Sequence, residues 1–123
     1  MKTQIQLPIP ILLNKLYIPV IKYVNGKPTP GIRKNPEAKK YQDLVKIYAI
    51  KQKTKLIKGK VSFKMDILIN KRKDYDIDAV EKLALDSLEG IAYTNDKNIV
   101  EKISRKHLES KDDKLIIEIE ELK

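Results

Sequence analysis

The sequence contains no cysteine and no tryptophan, and His107 is the only histidine among its 123 residues. The absence of cysteine excludes disulfides, thiol catalysis and cysteine-ligated zinc. A single histidine excludes a metal site built from several histidines. No apolar run approaches the roughly 18 residues that a membrane-spanning helix needs, and the N-terminal segment does not have the pattern of a secretory signal. The expectation is a cytoplasmic protein without a membrane partner.

Apolar residues make up 41% of the sequence and charged residues 35%, which favours a single domain over residues 1–123. Alternation of apolar and polar residues predicts strands, and apolar residues spaced three and four apart predict helices. In chain order these patterns give a strand at 3–9, a helix at 37–51, a strand at 61–69, a helix at 78–90, and strands at 99–108 and 115–120. The order β-α-β-α-β-β predicts an α+β fold, with a small mixed sheet of about four strands and two helices.

Two local features complete this prediction. The segment 22–36 is basic and contains three prolines and two glycines, which predicts an irregular loop. The second helix begins near Asp78, which is a suitable N-cap, and Glu81 three residues later would complete a capping box.

The formal net charge is +9, and it is unevenly distributed. Residues 1–73 contain 18 lysines and arginines against 3 acids, whereas residues 74–123 contain 8 against 14. Basic side chains bind a polyanion by releasing its counterions, but carboxylates repel it unless a divalent cation lies between. A metal-dependent nuclease needs this combination, although a lysine-rich composition can also serve solubility alone.

The most regular acidic spacing surrounds the start of the second helix. Asp76 and Asp78 are two residues apart, so in an extended chain their carboxylates project to the same side, where a divalent cation would relieve their repulsion. Lys82 follows one helical turn later, and Asp96 in the next loop could supply a third carboxylate. The alternative is structural, with Asp78 as a helix cap, Asp76 favouring the helix dipole, Lys82 paired with Asp86, and Asp96 as a turn residue.

These residues, in this order, resemble the RusA-type Holliday junction resolvases. The hallmark of that family is D-x-D-N-x-x-K, then D-A-L on the same helix and an aspartate in the next loop. The corresponding residues here are Asp76-Ile77-Asp78-Ala79-Val80-Glu81-Lys82, Asp86-Ser87-Leu88 and Asn95-Asp96. Pro8-Ile9-Pro10, Asn14 and Tyr17 match the family's N-terminal P-x-P…N…Y, and Lys106 matches a basic residue after the loop. Ala79 departs from the pattern, because the family has asparagine there.

The resemblance implies that Asp76, Asp78 and Asp96 are catalytic aspartates that bind Mg²⁺, and that Lys82 is the catalytic lysine. Mn²⁺ would be a substitute metal, and no organic cofactor is implied. The resemblance also implies a homodimer that acts on branched DNA in recombination and repair, making paired symmetric nicks in four-way junctions and leaving 5′-phosphates. The residues expected to contact DNA are Asn14, Lys15, Tyr17, Lys22, Lys27, Arg33, Lys34, Lys71, Arg72, Lys73 and Lys106.

Two other functions fit the same sequence. A non-catalytic module that binds branched DNA would explain the loss of the family asparagine at Ala79. A basic structural protein associated with RNA or the ribosome would explain the charge, but it would not require three convergent aspartates.

Overall fold

The computed structural model describes residues 1–10, 17–34, 36–70 and 76–122, and in the second range it describes the side chains of residues 21–31. Six strands and two α-helices are present in these residues. They are β1 (Lys2–Leu7), β2 (Tyr17–Val24), β3 (Lys27–Lys34), α1 (Pro36–Lys51), β4 (Val61–Leu68), α2 (Ile77–Leu88), β5 (Ile99–His107) and β6 (Lys114–Glu121). A short 3-10 helix at Asp96–Asn98 precedes β5.

Four of the strands form one mixed sheet in the order β1-β6-β4-β5. β4 pairs antiparallel with β6 and parallel with β5, and β6 pairs antiparallel with β1. Parallel neighbours require a crossover connection, and α2 lies in the connection between β4 and β5. The predicted α+β fold with a four-stranded mixed sheet and two helices is confirmed.

The hydrophobic core lies on one face of this sheet. The inward residues of β4 are fully buried at Val61, Phe63, Met65 and Ile67, as are alternate residues of β6. The buried side chains of both helices belong to the same core. Apart from Leu68 and Ile116, the outward residues of β4 and β6 are polar, so burial alternates from residue to residue along both central strands.

The first helix is fixed to the N-terminal edge strand through polar contacts. The Tyr41 hydroxyl donates to the Pro8 carbonyl at 2.7 Å. Beyond the end of α1, the Gln52 side chain accepts from the Gln6 N–H at 2.8 Å and donates to the Gln6 carbonyl at 2.7 Å. These bonds satisfy backbone groups on the open edge of β1.

The prediction of an irregular loop at 22–36 was wrong, because β2 and β3 form an antiparallel hairpin there. Asn25 and Gly26 have φ of +53° and +76° and make the two-residue turn. Counting from that turn, Pro28 and Pro30 occupy non-hydrogen-bonded positions, so neither removes a donor from the ladder. Prolines at these positions are therefore compatible with the hairpin.

The predicted N-cap of the second helix was also wrong, by two residues. Asp76 is the N-cap, with extended φ and ψ of −74° and 125°, and its carboxylate accepts from the Asp78 N–H at 3.1 Å. Asp78 lies inside the first turn of α2, and Glu81 bonds to β5. The error arose because aspartate is a favoured N-cap residue, so the residue type alone does not distinguish Asp76 from Asp78.

Candidate active site

The N-terminal end of α2 carries the two leading candidate ligands. Asp76 and Asp78 are both exposed, so solvent reaches the two carboxylates. Asp76 uses Oδ1 to cap the helix, which leaves its other oxygen available for a ligand, since a carboxylate has two oxygens. Both carboxylates are also placed where the positive end of the helix dipole favours negative charge.

Further along α2, Lys82 and Asp86 follow Asp78 at successive helical turns, and both are exposed. Residues four apart on a helix share a face. The charged face of α2 therefore continues from its N-terminal end, where the two aspartates lie, through Lys82 to its C-terminal half. The other side of the helix is buried at Val80, Leu83, Ala84 and Leu88.

Asp96 lies beside the opposite end of α2. Its backbone N–H donates to the Glu89 carboxylate at 3.2 Å. The Tyr93 hydroxyl, which donates to the Leu85 carbonyl, anchors the connecting loop against the helix. Burial raises the pKa of Tyr93, and the negative charges of Glu89, Asp96 and Asp86 raise it further. Asp96 is thus grouped with the acids of the C-terminal half of the helix.

The two acidic groups are far apart within one chain. The helix rise of 1.5 Å per residue places Asp78 about 16 Å along the axis from Glu89, the residue that contacts Asp96. In the part of the chain that the structure describes, no three acidic or histidine side chains lie close enough together to hold one metal ion. Asp76, Asp78 and Asp96 are therefore not brought together in a single described chain, and their shared metal site stays a prediction.

Residues 21–120 match the family model described as Endodeoxyribonuclease RusA. The chain belongs to the RusA endodeoxyribonuclease family. The match includes both ends of α2 and the loop to Asp96, but not Pro8, Asn14 or Tyr17 of the N-terminal resemblance. Membership supports a nuclease that acts on branched DNA junctions. Comparison with curated proteins gave no match.

In this RusA-family chain, Lys22 and Lys27 are exposed on the β2–β3 hairpin. Tyr17, Arg33 and Lys34 lie at the other end of the same hairpin, and their side chains are outside the description. Five further residues predicted to contact DNA fall outside the described residues. They are Asn14 and Lys15 before β2, and Lys71, Arg72 and Lys73 before α2. All of these assignments stay predictions.

Lys106 is half-buried on β5, on the sheet face that α2 covers. Glu81 of α2 accepts from Lys102 Nζ at 2.6 Å and from Ser104 Oγ at 2.5 Å, which fixes the helix against this strand. Since a crossover helix runs opposite to its parallel strands, residue 106 lies about 7 Å nearer the N-terminal end of α2 than Ser104 does. The fold therefore brings Lys106 towards the end of α2 that carries Asp76 and Asp78, and its role in DNA binding stays a prediction.

Sequence reasoning missed the Glu81 contacts, although they position the helix. Partial burial alone would raise the pKa of Glu81, but the hydrogen bonds from Lys102 and Ser104 and the Lys102 charge lower it below its usual value. It also missed His107 Nε2, which lies 2.7 Å from Asp66 Oδ1 on the polar sheet face. Both sets of partners are distant in sequence, so no local spacing indicates them.

No helix in the described residues combines the length and apolar character that crossing a bilayer requires.

Proposed function

We propose that the protein is a Mg²⁺-dependent, structure-selective endodeoxyribonuclease that resolves four-way DNA junctions by paired symmetric nicks. The observation that carries this proposal is the family match over residues 21–120, which contain the aspartates and the lysine of the motif in order. The exposed charged face of α2 and the basic hairpin agree with a nucleic-acid substrate. Such a substrate favours the cytoplasm as the site of action.

Asp76 and Asp78 are the proposed metal ligands at the N-terminal end of α2. Both are exposed carboxylates, two residues apart, and oxygen ligands are those that Mg²⁺ prefers. Bound Mg²⁺ would lower the pKa of its water and neutralise charge on the scissile phosphate. In-line attack by water on the phosphorus would break its bond to the 3′-oxygen; the leaving oxygen would take up a proton, which leaves a 3′-hydroxyl and a 5′-phosphate.

Asp96 enters this site most simply from a second copy of the chain. Within one chain its backbone bonds to Glu89, at the end of α2 opposite the two N-terminal aspartates, and the three carboxylates form no metal-binding group in the described residues. A two-fold dimer would pair the start of α2 of one protomer with the Asp96 loop of its partner, and would do so twice. Two equivalent sites match two equivalent junction strands.

Lys82 is proposed to stabilise the charge that develops on the phosphate during attack. It lies one helical turn beyond Asp78 on the exposed face of α2, so its ammonium group can reach a phosphate bound at the helix start. A cation placed where negative charge accumulates lowers the barrier without having to change its own protonation state.

A non-catalytic module that binds branched DNA is the second candidate. Two observations favour it, the alanine at position 79 and the absence of a three-acid metal group within the described part of one chain. This candidate predicts salt-dependent junction binding and no metal-dependent nicking.

Incubation with a synthetic four-way junction, with and without Mg²⁺ and resolved on a denaturing gel, separates the two candidates. We expect nicks at symmetric positions only with Mg²⁺, and we expect Asp78→Asn to abolish them while junction binding persists. Asp66→Asn is the matched control, because Asp66 lies on the polar sheet face beside His107. Nicking by Asp78→Asn at the wild-type rate would contradict the assigned site, and binding without any nicking would favour the second candidate.

A further inference from the structure

The β2–β3 hairpin has one apolar face. Alternate residues of a strand share a face, and the register pairs Tyr23 with Pro28 and Ile21 with Pro30. These four side chains therefore lie together, next to the turn. All four are exposed, with Tyr23 at 74% and Ile21 at 70% of their full accessibility.

The other face of the hairpin, here called the basic face, carries Lys22 and Lys27 together with the exposed Val24. Lys22 pairs with Thr29, and its stem lies along Gly31, where an added Cβ would come within 3.1 Å of Lys22 Cε. Lys27 follows the turn on this same face. The hairpin Tyr17–Lys34 contains four lysines and arginines and no acidic residue. A ribbon of this charge has no intrinsic attraction for a second copy of itself, but it complements a phosphate backbone.

Within the described residues, the hairpin packs mainly through its own two strands. A two-stranded ribbon is marginally stable by itself in water, and an exposed apolar patch with basic neighbours is typical of an interaction site. A molecule that binds both faces of the hairpin needs negative charge for the lysines and a flat apolar surface for Tyr23 and its neighbours. Branched DNA offers both, because the duplex arms carry phosphates and the branch point exposes the faces of terminal base pairs.

We propose that the hairpin is a branch-sensing arm, in which the basic face binds phosphates while Tyr23 and its apolar neighbours cover base-pair faces at the branch point. The proposal rests on the proposed DNA substrate and adds the element that distinguishes a branch from a continuous duplex. Apolar side chains, proline included, enter base steps in proteins that bend DNA, and aromatic rings stack on exposed bases. A continuous duplex has no exposed base faces near its centre, so the arm would bind it through the basic face alone.

The test compares Tyr23→Ser with Ile50→Ser, a matched control because Ile50 is 77% exposed on α1. Binding is measured without metal, to a four-way junction and to a duplex built from the same arm sequences. The junction carries 2-aminopurine at the branch, whose fluorescence reports stacking. We expect Tyr23→Ser to reduce the preference for the junction about tenfold, the effect of losing one stacked base, and to abolish the fluorescence change. Tyr23→Phe should retain both, because its ring still stacks.

Three results would overturn the branch-sensing arm. These are an unchanged junction preference in Tyr23→Ser, an equal loss in Ile50→Ser, or a change of sedimentation showing that Tyr23 instead holds two copies of the chain together. Far-ultraviolet circular dichroism checks that each variant is folded. Failure of the proposed nuclease function is separate, because wild-type protein that prefers junctions through Tyr23 but never cuts them would retain the arm and lose the enzyme.

Discussion

The four-stranded sheet with α1 and α2, here called the body, differs sharply from the β2–β3 arm. In the body, the inward residues of β4 and β6 are fully buried. In the arm, every residue from 21 to 30 is exposed. Burial holds the body in one conformation and so fixes the backbone from which the α2 carboxylates project, whereas the apolar side chains of the arm are exposed to solvent. If the proposed function holds, the body is the region that would position the chemistry, and the arm is the region that would contact the substrate.

The sharpest way to test this contrast is to truncate one aromatic side chain in each region. Phe63→Ala removes a fully buried ring from β4 and should cost about 3–5 kcal/mol of unfolding free energy. Tyr23→Ala removes an exposed ring and should change stability by less than about 0.5 kcal/mol. Urea unfolding measures both, and equal losses would show that the arm packs on the body.

Two lysines separate catalysis from binding. Lys82→Ala in α2 should lower the single-turnover cleavage rate about a hundredfold, as expected on removing a group that stabilises transition-state charge, and should affect junction affinity little. Lys22→Ala in the arm should instead weaken junction affinity and affect the cleavage rate little. It should also reduce the slope of log affinity against log salt concentration by about one. Comparable losses of affinity and rate in Lys82→Ala would indicate a structural lysine.

Replacing one glycine in each region by alanine compares the effect of backbone strain on the body and on the arm. Gly90 after α2 and Gly26 in the hairpin turn have φ of +82° and +76°, and an added Cβ would meet no atom within 4 Å at either position. Alanine is strained by about 1–2 kcal/mol in this conformation. We expect Gly90→Ala to lower the free energy of global unfolding by that amount. Gly26→Ala should leave global unfolding unchanged and should instead speed amide hydrogen exchange in the arm.

The Glu81 contacts give the smallest expected effect, together with a pH dependence. Because the folded-state pKa of Glu81 lies below its usual value of 4.5, its stabilising contribution is present above that pH and is lost as the pH falls through the folded-state pKa. Glu81→Gln should cost about 1 kcal/mol at pH 7. The difference between wild type and variant should shrink below pH 4.5, and a difference that is constant from pH 7 to pH 3 would contradict the assignment.

The sequence predicted the body well because burial on one face imposes a periodicity that a single chain displays. β4 shows this from Val61 to Ile67, and α2 shows it at Val80, Leu83 and Leu88. The arm was missed because its prolines and glycines were interpreted as breakers. The Asn25-Gly26 pair, the strongest short signature of a hairpin, was available in the same segment.

The candidate site was less predictable, for a physical reason. Motif order predicts Asp76, Asp78, Lys82 and Asp96 as site residues, and all four lie within the range that matches the family. The position of Asp96 depends on tertiary bonds that join the loop to the C-terminal end of α2, through Tyr93 and Glu89. Sequence spacing carries no information about these bonds, so it could not show that the third aspartate lies far from the other two.

Mixing two inactive variants tests the shared active site most directly. Asp78→Asn and Asp96→Asn, each alone, should fail to cut a four-way junction in Mg²⁺. After the two variants are denatured and refolded together, about half of the dimers are mixed, and each mixed dimer has one of its two sites with all three aspartates intact. About a quarter of the wild-type number of intact sites should therefore return. Recovery of junction nicking is the predicted result. A mixture that stays inactive, although mixed dimers form and the wild-type protein cuts, would contradict a site built from two copies of the chain.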